Sequence, residues 1–334
     1  MKVVKLLLLI ILSLNAAGCG SFVAHSIVRS PNRYPTWFDF EAPVGLAFGP
    51  KMFSSFPTNY VEVGPPPARL CYRIVEPADY HFKVSSTNWL KDDEKQYDFT
   101  FKAKLPGQTN PWTAKPRGTV LLLHGYGEAQ FAMMPWAFPL AEDGWRCVVV
   151  DLRGHGKSTG KRIFFTVLET NDMIQLLDNL ERDKKVAGPV AVMGESYGAV
   201  LALRWKTVDP RVGAVVAIAP YACLSNAVLN IRAEYTALIP KLMVKAGIKN
   251  LPTLLKISAT EFDTTTVLRR QPVKALFIAG GQDKIAPVAE VRKVYELASP
   301  GSKFILVPDA THEGLTYYFD DLTPEVLSWL NGNN

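Results

Sequence analysis

The chain has 334 residues, of which 48% are hydrophobic and 20% are charged. This composition is typical of a globular protein that is long enough for one large α/β domain with additions. The net charge is +6 and the basic residues form no block, which argues against a nucleic-acid partner.

The first eighteen residues have the pattern of a secretory signal peptide. Two lysines precede an apolar run from Leu6 to Leu14, which is too short to span a bilayer comfortably. The following Ala16-Ala17-Gly18-Cys19 resembles the lipobox of bacterial lipoproteins, which implies cleavage before Cys19 and lipidation of its thiol. We therefore expect an exported protein that a lipid anchors to a membrane of the cell envelope, the outer membrane if the cell has one. A plain secretory signal, with a periplasmic or secreted product, is the alternative.

Two regions precede the main pattern of the sequence. Residues 19–68 are rich in proline, aromatic residues and glycine and end in VGPPPARL, which predicts an irregular segment or a linker. The stretches LCYRIVE and KQYDFTFKAKL then predict two antiparallel strands. They open a domain that we expect to span 69–334.

From Gly118 onward, predicted strands alternate with predicted helices. The buried strands are TVLLLHG, WRCVVVDLRG, GPVAVMGES, VGAVVAIAP, VKALFIAGGQD and KFILVPDATHEG. Strands that are apolar along their whole length need cover on both faces, so we predict an α/β fold with a mostly parallel central sheet between helices. The stretch of about 222–270 has no strand signal and has helix-like apolar spacing.

One strand ends in the sequence GESYG, which places Ser196 between two glycines. If a strand stops there and a helix begins, the chain must reverse sharply and hold the serine in a strained backbone conformation. Side chains at positions 194 and 198 would clash in such a turn, whereas the new helix would aim free N–H groups at a substrate. This is the nucleophile-elbow pattern, and it predicts a nucleophilic serine.

Five motifs follow in order along the chain: LLHGYGE, VVVDLRGHGKSTG, GESYG, GGQDKIAP and ATHEG. With them the region from Gly118 to the C-terminus resembles the α/β-hydrolases, especially the branch of monoglyceride lipases, lysophospholipases and S33-type serine aminopeptidases. The resemblance implies the α/β-hydrolase fold, with the stretch of about 222–270 inserted as a helical lid over the active site.

The resemblance also implies a catalytic triad of Ser196 as the nucleophile, His312 as the base and Asp283 as the acid. His312 alone of the five histidines follows the final predicted strand, and Asp283 follows the strand before it. Asp309 and Asp320 flank His312 and are interpreted as surface carboxylates, with Asp309 as the alternative acid. The histidines of the HG and RGHG motifs, His124 and His155, and the acid Asp151 are interpreted as structural residues.

Two backbone N–H groups are expected to stabilise the oxyanion. One belongs to Tyr197, directly after the nucleophile, and the other to Tyr126, in the turn after LLLHG. The sequence predicts no cofactor and no metal, because the histidines are scattered and no CxxC spacing, phosphate loop or dinucleotide fingerprint is present.

The resemblance implies a serine hydrolase that cleaves carboxylic esters, with monoacylglycerols or lysophospholipids as the first substrates to consider. The fold also hosts acyltransferases, thioesterases and peptidases, which stay open as alternatives. A non-catalytic, lipid-tethered binding or scaffold protein is the alternative outside enzymes.

The predicted lid contains LIPKLMVKAGIKNLPTLLKI, in which Lys241, Lys245 and Lys249 recur every four residues. The opposite face of that helix is expected to carry Ile239, Leu242, Met243 and Ala246. Either the apolar face packs on the core with the lysines in water, or it lines an acyl-chain pocket and the lysines meet anionic head groups. Cys147 is interpreted as a core thiol, and a disulfide between Cys71 and Cys223 stays open.

Overall fold

A computed structural model describes residues 20–33, 55–91, 94–105 and 115–333. The predicted signal peptide and Cys19 lie outside these ranges. Within them, no helix combines the length and the apolar character needed to cross a membrane.

An eight-stranded sheet forms the centre of the protein, in the order β1-β2-β6-β5-β7-β8-β9-β10. Strands β5 to β10 are parallel to one another, and β1 and β2 join antiparallel at one edge. The inner strands are buried along nearly their whole length, so both faces of the sheet are covered. This confirms the predicted fold class. The strands are β1 (Asn59–Val63), β2 (Ala68–Val75), β5 (Thr119–Leu123), β6 (Arg146–Asp151), β7 (Val190–Glu195), β8 (Val212–Ile218), β9 (Leu276–Gly280) and β10 (Lys303–Val307).

Helices follow most of the parallel strands, as the alternating pattern predicts. The largest fully buried side chains include three tryptophans, one of them in the helix after β5 and one in the helix after β7. The described helices are α1 (20–27), α2 (Gln130–Glu142), α3 (Val167–Arg182), α4 (Tyr197–Val208), α5 (Leu224–Tyr235), α6 (Lys241–Leu255), α7 (Thr264–Arg270), α8 (Val288–Tyr295) and α9 (Phe319–Gly332).

The N-terminal region differs from the irregular segment predicted over 19–68. Its described parts include α1 and β1, and α1 packs on α6 of the insertion. A Cβ atom added to Gly247 would lie 2.5 Å from Cγ1 of Val23, and one added to Gly20 would lie 3.0 Å from Cβ of Ala246. The two helices therefore touch through small residues, which allow their backbones to approach closely.

The prediction that LCYRIVE and KQYDFTFKAKL pair with each other is wrong. The first lies in β2, which is hydrogen-bonded to β1 on one side and β6 on the other. The second lies in β4 (Glu94–Lys102), which pairs with β3 (Lys83–Lys91) in a separate two-stranded sheet. Strand β3 directly precedes β4 in the chain, so their pairing closes a short loop and costs little entropy. The apolar β2 gains more free energy of burial from an inner position beside β6.

The insertion is helical in the structure, with α5, α6, a short 3₁₀ turn and α7. The buried face of α6 carries Val244, Gly247, Leu251 and Leu255, not the face predicted from the sequence. Leu242 is 74% exposed, because α6 packs on α1 through a different face, the one that carries Gly247. The lysines at positions 241, 245 and 249 are exposed, as expected. Cys71, Cys147 and Cys223 are free thiols, the first two of them buried.

Candidate active site

The serine of the GESYG motif occupies the turn between β7 and α4. Ser196 has φ 49° and ψ −108°, a conformation that costs free energy for a residue with a side chain. Its N–H donates to the carbonyl oxygen of Ile218 in the neighbouring strand at 2.7 Å. This hydrogen bond helps to hold the strained residue in place, directly after β7 at the carboxyl end of the sheet.

The flanking glycines are required by contacts of the backbone with itself. A Cβ atom at position 194 would lie 2.2 Å from the carbonyl oxygen of Gly198. A Cβ atom at position 198 would lie 2.3 Å from the carbonyl oxygen of Leu123 in β5. Helix α4 thus starts so close to β5 and β7 that no side chain fits on either side of Ser196.

The structure brings Ser196, His312 and Asp283 together. His312 Nε2 lies 3.0 Å from Ser196 Oγ, and His312 Nδ1 lies 2.7 Å from Asp283 Oδ2. The acid follows β9 and the histidine follows β10, so the parallel sheet delivers all three groups to the same edge. Residues far apart in the sequence therefore form one chain of hydrogen bonds.

The carboxylate of Asp283 is held from both sides. Its Oδ1 accepts from the backbone N–H groups of Ile285 at 2.8 Å and Ala286 at 2.7 Å, while Oδ2 faces the imidazole. An acceptor of this kind keeps the hydrogen of the neutral imidazole on Nδ1, so Nε2 is available to accept a proton from the serine. The contacts leave no ring nitrogen of His312 for Asp309 or Asp320.

The turn after β5 borders the serine. A Cβ atom added to Gly125 would lie 3.7 Å from Cβ of Ser196, and Tyr126 follows directly. Tyr197 is the first residue of α4, and the N–H groups of a first helical turn have no acceptor within their own helix. The two residues predicted to donate to an oxyanion therefore lie in the two segments that adjoin Ser196.

His124 and His155 are completely buried, and burial lowers the pKa of His155 to about 4 and that of His124 well below its ordinary value. His155 Nδ1 lies 2.9 Å from the carbonyl oxygen of Arg153. Asp151 accepts from Gln130 N at 2.8 Å and from Gln130 Nε2 at 2.7 Å. These buried groups join the segments that follow β5 and β6.

Two carboxyl groups near the serine escaped the sequence analysis. Burial, and then the neighbouring Glu128, raise the pKa of Glu195 well above its ordinary value. Burial raises the pKa of Glu128 as well, whereas the N–H of Gly125 opposes that rise. The only signal in the sequence is their place, directly before the nucleophile and inside the LLHGYGE motif.

Comparison with known proteins finds one matching family and several similar structures. The model of the family described as "Serine aminopeptidase, S33" matches residues 114–269. An esterase of Pyrococcus furiosus superposes with a TM-score of 0.61 at 20% identity, covering 85% of this chain and 94% of the esterase. The enol-lactonase of Burkholderia xenovorans LB400 superposes with a TM-score of 0.53 at 17% identity, covering 82% of this chain and all of the lactonase.

The chain has the α/β-hydrolase fold. The family match and the fold together support a hydrolase. A curated relative, the uncharacterized protein YqkD of Bacillus subtilis (strain 168), is 25% identical over 210 residues. That alignment covers 60% of this chain and 66% of the relative, slightly less than two thirds of its length. Within the described ranges, the protein has no group of three or more His, Cys, Asp or Glu side chains arranged to hold a metal ion.

Replacing Gly198 by alanine tests the close approach of α4 to β5. We expect G198A to lower the melting temperature and to abolish hydrolysis of a soluble ester, because overpacking of this kind costs about 1–3 kcal/mol and moves the serine. The matched control is G332A, since a Cβ atom there has no neighbour within 4 Å. A G198A protein with wild-type melting temperature and activity would contradict the close approach.

Proposed function

We propose that the protein is a serine hydrolase that cleaves carboxylic esters through an acyl-enzyme on Ser196. The observation that carries the proposal is the hydrogen-bonded series Ser196 Oγ–His312 Nε2 and His312 Nδ1–Asp283 Oδ2 at a strained turn. A nucleophile, a base within reach of its proton and a group that orients the base are the three parts that acyl transfer needs.

In the proposed first step, Ser196 Oγ attacks the ester carbonyl carbon while His312 Nε2 takes the hydroxyl proton. The carbonyl oxygen becomes an oxyanion, for which the N–H groups of Tyr126 and Tyr197 are the expected donors. Collapse of the tetrahedral intermediate breaks the bond to the alcohol, which leaves with the proton from His312. Asp283 stabilises the imidazolium while it exists.

In the second step, water replaces the alcohol. His312 takes a proton from the water, whose oxygen attacks the acyl carbon, and a second tetrahedral intermediate forms. Its collapse breaks the bond to Ser196 Oγ, which regains a proton from His312, and the carboxylic acid is released. Atoms and charge balance over the cycle, and the enzyme returns to its starting state.

Amide hydrolysis is the second candidate activity, because the matched family is described as serine aminopeptidases. The esterase and the enol-lactonase among the structural neighbours favour esters, on the strength of their names. Comparing kcat/KM for aminoacyl amides with kcat/KM for carboxylic esters decides between the two.

Removing any member of the triad should nearly abolish turnover. We expect S196A and H312A to lower kcat by more than about 10⁴-fold and to stay folded, with D283N losing somewhat less. The measurements are hydrolysis of a p-nitrophenyl ester and, for S196A, labelling by a fluorophosphonate probe. Asp320, an exposed carboxyl group near His312 in the sequence, supplies the matched control D320N. Full activity of S196A would refute the proposed function, and near-normal activity of D283N would move the acid elsewhere.

For the substrate class we propose lipid-like esters, and the support comes from the tip of the insertion. All ten residues from 233 to 242, from the last turn of α5 to the start of α6, are exposed. Leu238 is fully exposed, and Arg232 holds the turn by donating from Nε to Ile239 O at 2.7 Å and from Nη2 to Ala237 O at 2.5 Å. An ordered turn that presents leucines to solvent, beside a row of lysines, fits the interface of an anionic lipid surface.

This tip lies beside the loop that carries the proposed acid. Asn230 in α5 donates from Nδ2 to the carbonyl oxygen of Ile285, two residues after Asp283, at 2.9 Å. Glu234 at the end of α5 lies 3.8 Å from Nζ of Lys284. A lipid bound at the tip would therefore be close to the catalytic loops. Because Leu242 points to solvent, we assign it to this outer surface and not to an acyl-chain pocket.

The lysines of α6 should confer salt dependence on lipid hydrolysis. We expect turnover of anionic vesicles to fall with rising salt, and the triple variant Lys241→Gln, Lys245→Gln, Lys249→Gln to lose that dependence, because salt screens exposed charges. L242D should lower turnover on vesicles as well. Hydrolysis of a short soluble ester is the control, and it should change little in both variants. Unchanged vesicle turnover in the triple variant would make the lysines an ordinary solvated face.

We also propose that a lipid on Cys19 attaches the protein to the cell envelope. The support is the sequence motif that ends at Cys19, and the first described residue after it, Gly20, lies against Ala246 and Asn250 of α6. An anchor at position 19 would tether the chain beside the same helix that carries the lysines. C19S should leave an unprocessed precursor or move the protein to the soluble fraction, and mass spectrometry of the mature N-terminus measures the change. An unmodified N-terminus downstream of Cys19 would refute the anchor.

A further inference from the structure

Side chains hold two successive peptide groups beside Ser196 by hydrogen bonds. The N–H of Gly125 donates to Oε2 of Glu128 at 2.8 Å. The carbonyl oxygen of Gly125 lies 2.7 Å from Nδ1 of His124. Both polar groups of one residue in the turn after β5 are thus held by side chains from the same turn.

The tautomer of His124 follows from its second ring nitrogen. The N–H of Leu152, just after β6, donates to His124 Nε2 at 3.0 Å, so Nε2 is an acceptor. The ring is neutral, because burial lowers the pKa of His124 well below its ordinary value. The remaining hydrogen is therefore on Nδ1, which donates it to the carbonyl oxygen of Gly125.

Fixing that carbonyl also fixes the next N–H along the chain. The carbonyl group of Gly125 and the N–H of Tyr126 belong to one planar peptide unit, and in a trans peptide they point in opposite directions. His124 therefore sets the direction of the Tyr126 N–H, and Glu128 sets the orientation of the peptide unit before it. The turn they hold is the one in which a Cβ atom on Gly125 would lie 3.7 Å from Cβ of Ser196.

We propose that His124 and Glu128 are positioning residues that aim the Tyr126 N–H at the oxyanion formed during acyl transfer. The inference rests on the proposed function and deepens it. A donor aligned before the reaction stabilises the transition state without reorganising, and loss of one such donor costs about 10²–10³-fold in kcat. Neither residue touches the substrate, so their effect on catalysis is transmitted through the backbone.

Hydrogen bonding, and not charge, is the useful property of Glu128. Its surroundings already contain the carboxyl groups of Glu195 and Glu313 and the imidazole of His312. Another negative charge near a developing oxyanion is unfavourable by Coulomb's law. A glutamine at position 128 keeps the acceptor for the Gly125 N–H without the charge, whereas an alanine removes both, so the pair separates the two effects.

The test compares E128A and E128Q in the full-length protein. For E128A we expect kcat on p-nitrophenyl butyrate to fall about 10–100-fold, a partial loss of one donor, with KM changed by less than about threefold. Affinity for phenylboronic acid, which forms a tetrahedral adduct on the serine, should fall by a similar factor. E128Q should restore most of both losses, because it restores the hydrogen bond.

Two further variants test the interpretation, one as a control for charge and one at the second positioning residue. D320N removes an exposed carboxylate that has no hydrogen bond to Gly125, and its kcat should stay within about threefold of wild type because exposed charges interact weakly. H124F keeps a ring of similar size without the Nδ1 hydrogen and should show the same joint loss of kcat and boronate affinity. If H124F does not fold, by thermal unfolding, the E128A and E128Q pair decides alone.

The inference is overturned if E128A keeps wild-type kcat, or if its kcat falls while its affinity for phenylboronic acid does not. It is also overturned if E128Q is as impaired as E128A. S196A separates this failure from that of the proposed function. An inactive S196A beside a fully active E128A refutes only the positioning role, whereas an active S196A refutes the serine mechanism itself.

Discussion

The geometry of the site depends on how closely the first turn of α4 approaches β5 and β7. The backbone of Gly198 lies against the carbonyl oxygen of Leu123, and Gly194 lies against Gly198, so the chain between them can reverse in a single residue. Ser196 absorbs the strain of that reversal with a positive φ. A wider separation would relieve the strain, but it would also withdraw the hydroxyl from His312 and the helix start from a substrate.

The loops around this turn are joined by buried polar contacts. The segment after β6 contributes Leu152 to His124, and Arg153 makes two hydrogen bonds of 2.7 and 2.6 Å with Asp172 of α3. Asp151 accepts from Gln130 at the start of α2. Breaking one member of such a network leaves a buried group without its partner, which costs more than the bond itself contributes. The polar motifs near the serine therefore hold one loop against another.

The N-terminal helix α1 packs on the helical insertion. Helix α6 is enclosed on one face, where Val23 of α1 occupies the space that a side chain on Gly247 would need. Its other face presents lysines and Leu242 to solvent, next to an exposed turn braced by Arg232. The segment that follows the proposed anchor thus packs on the helix that we propose meets the lipid.

The sequence alone determined the alternation of strands and helices and the strained turn, and its resemblance to a known family implied the three triad candidates. The first two features are local, because continuous apolar runs mark buried strands and two glycines around a serine mark a turn without room for side chains. The hydrogen bonds among Ser196, His312 and Asp283 needed the tertiary structure, since they join residues that only the parallel sheet brings to one edge. The partner of β2 and the buried face of α6 were likewise decided by contacts between distant segments. A periodic pattern shows that a helix has an apolar face, but only the packed neighbours decide which face is covered.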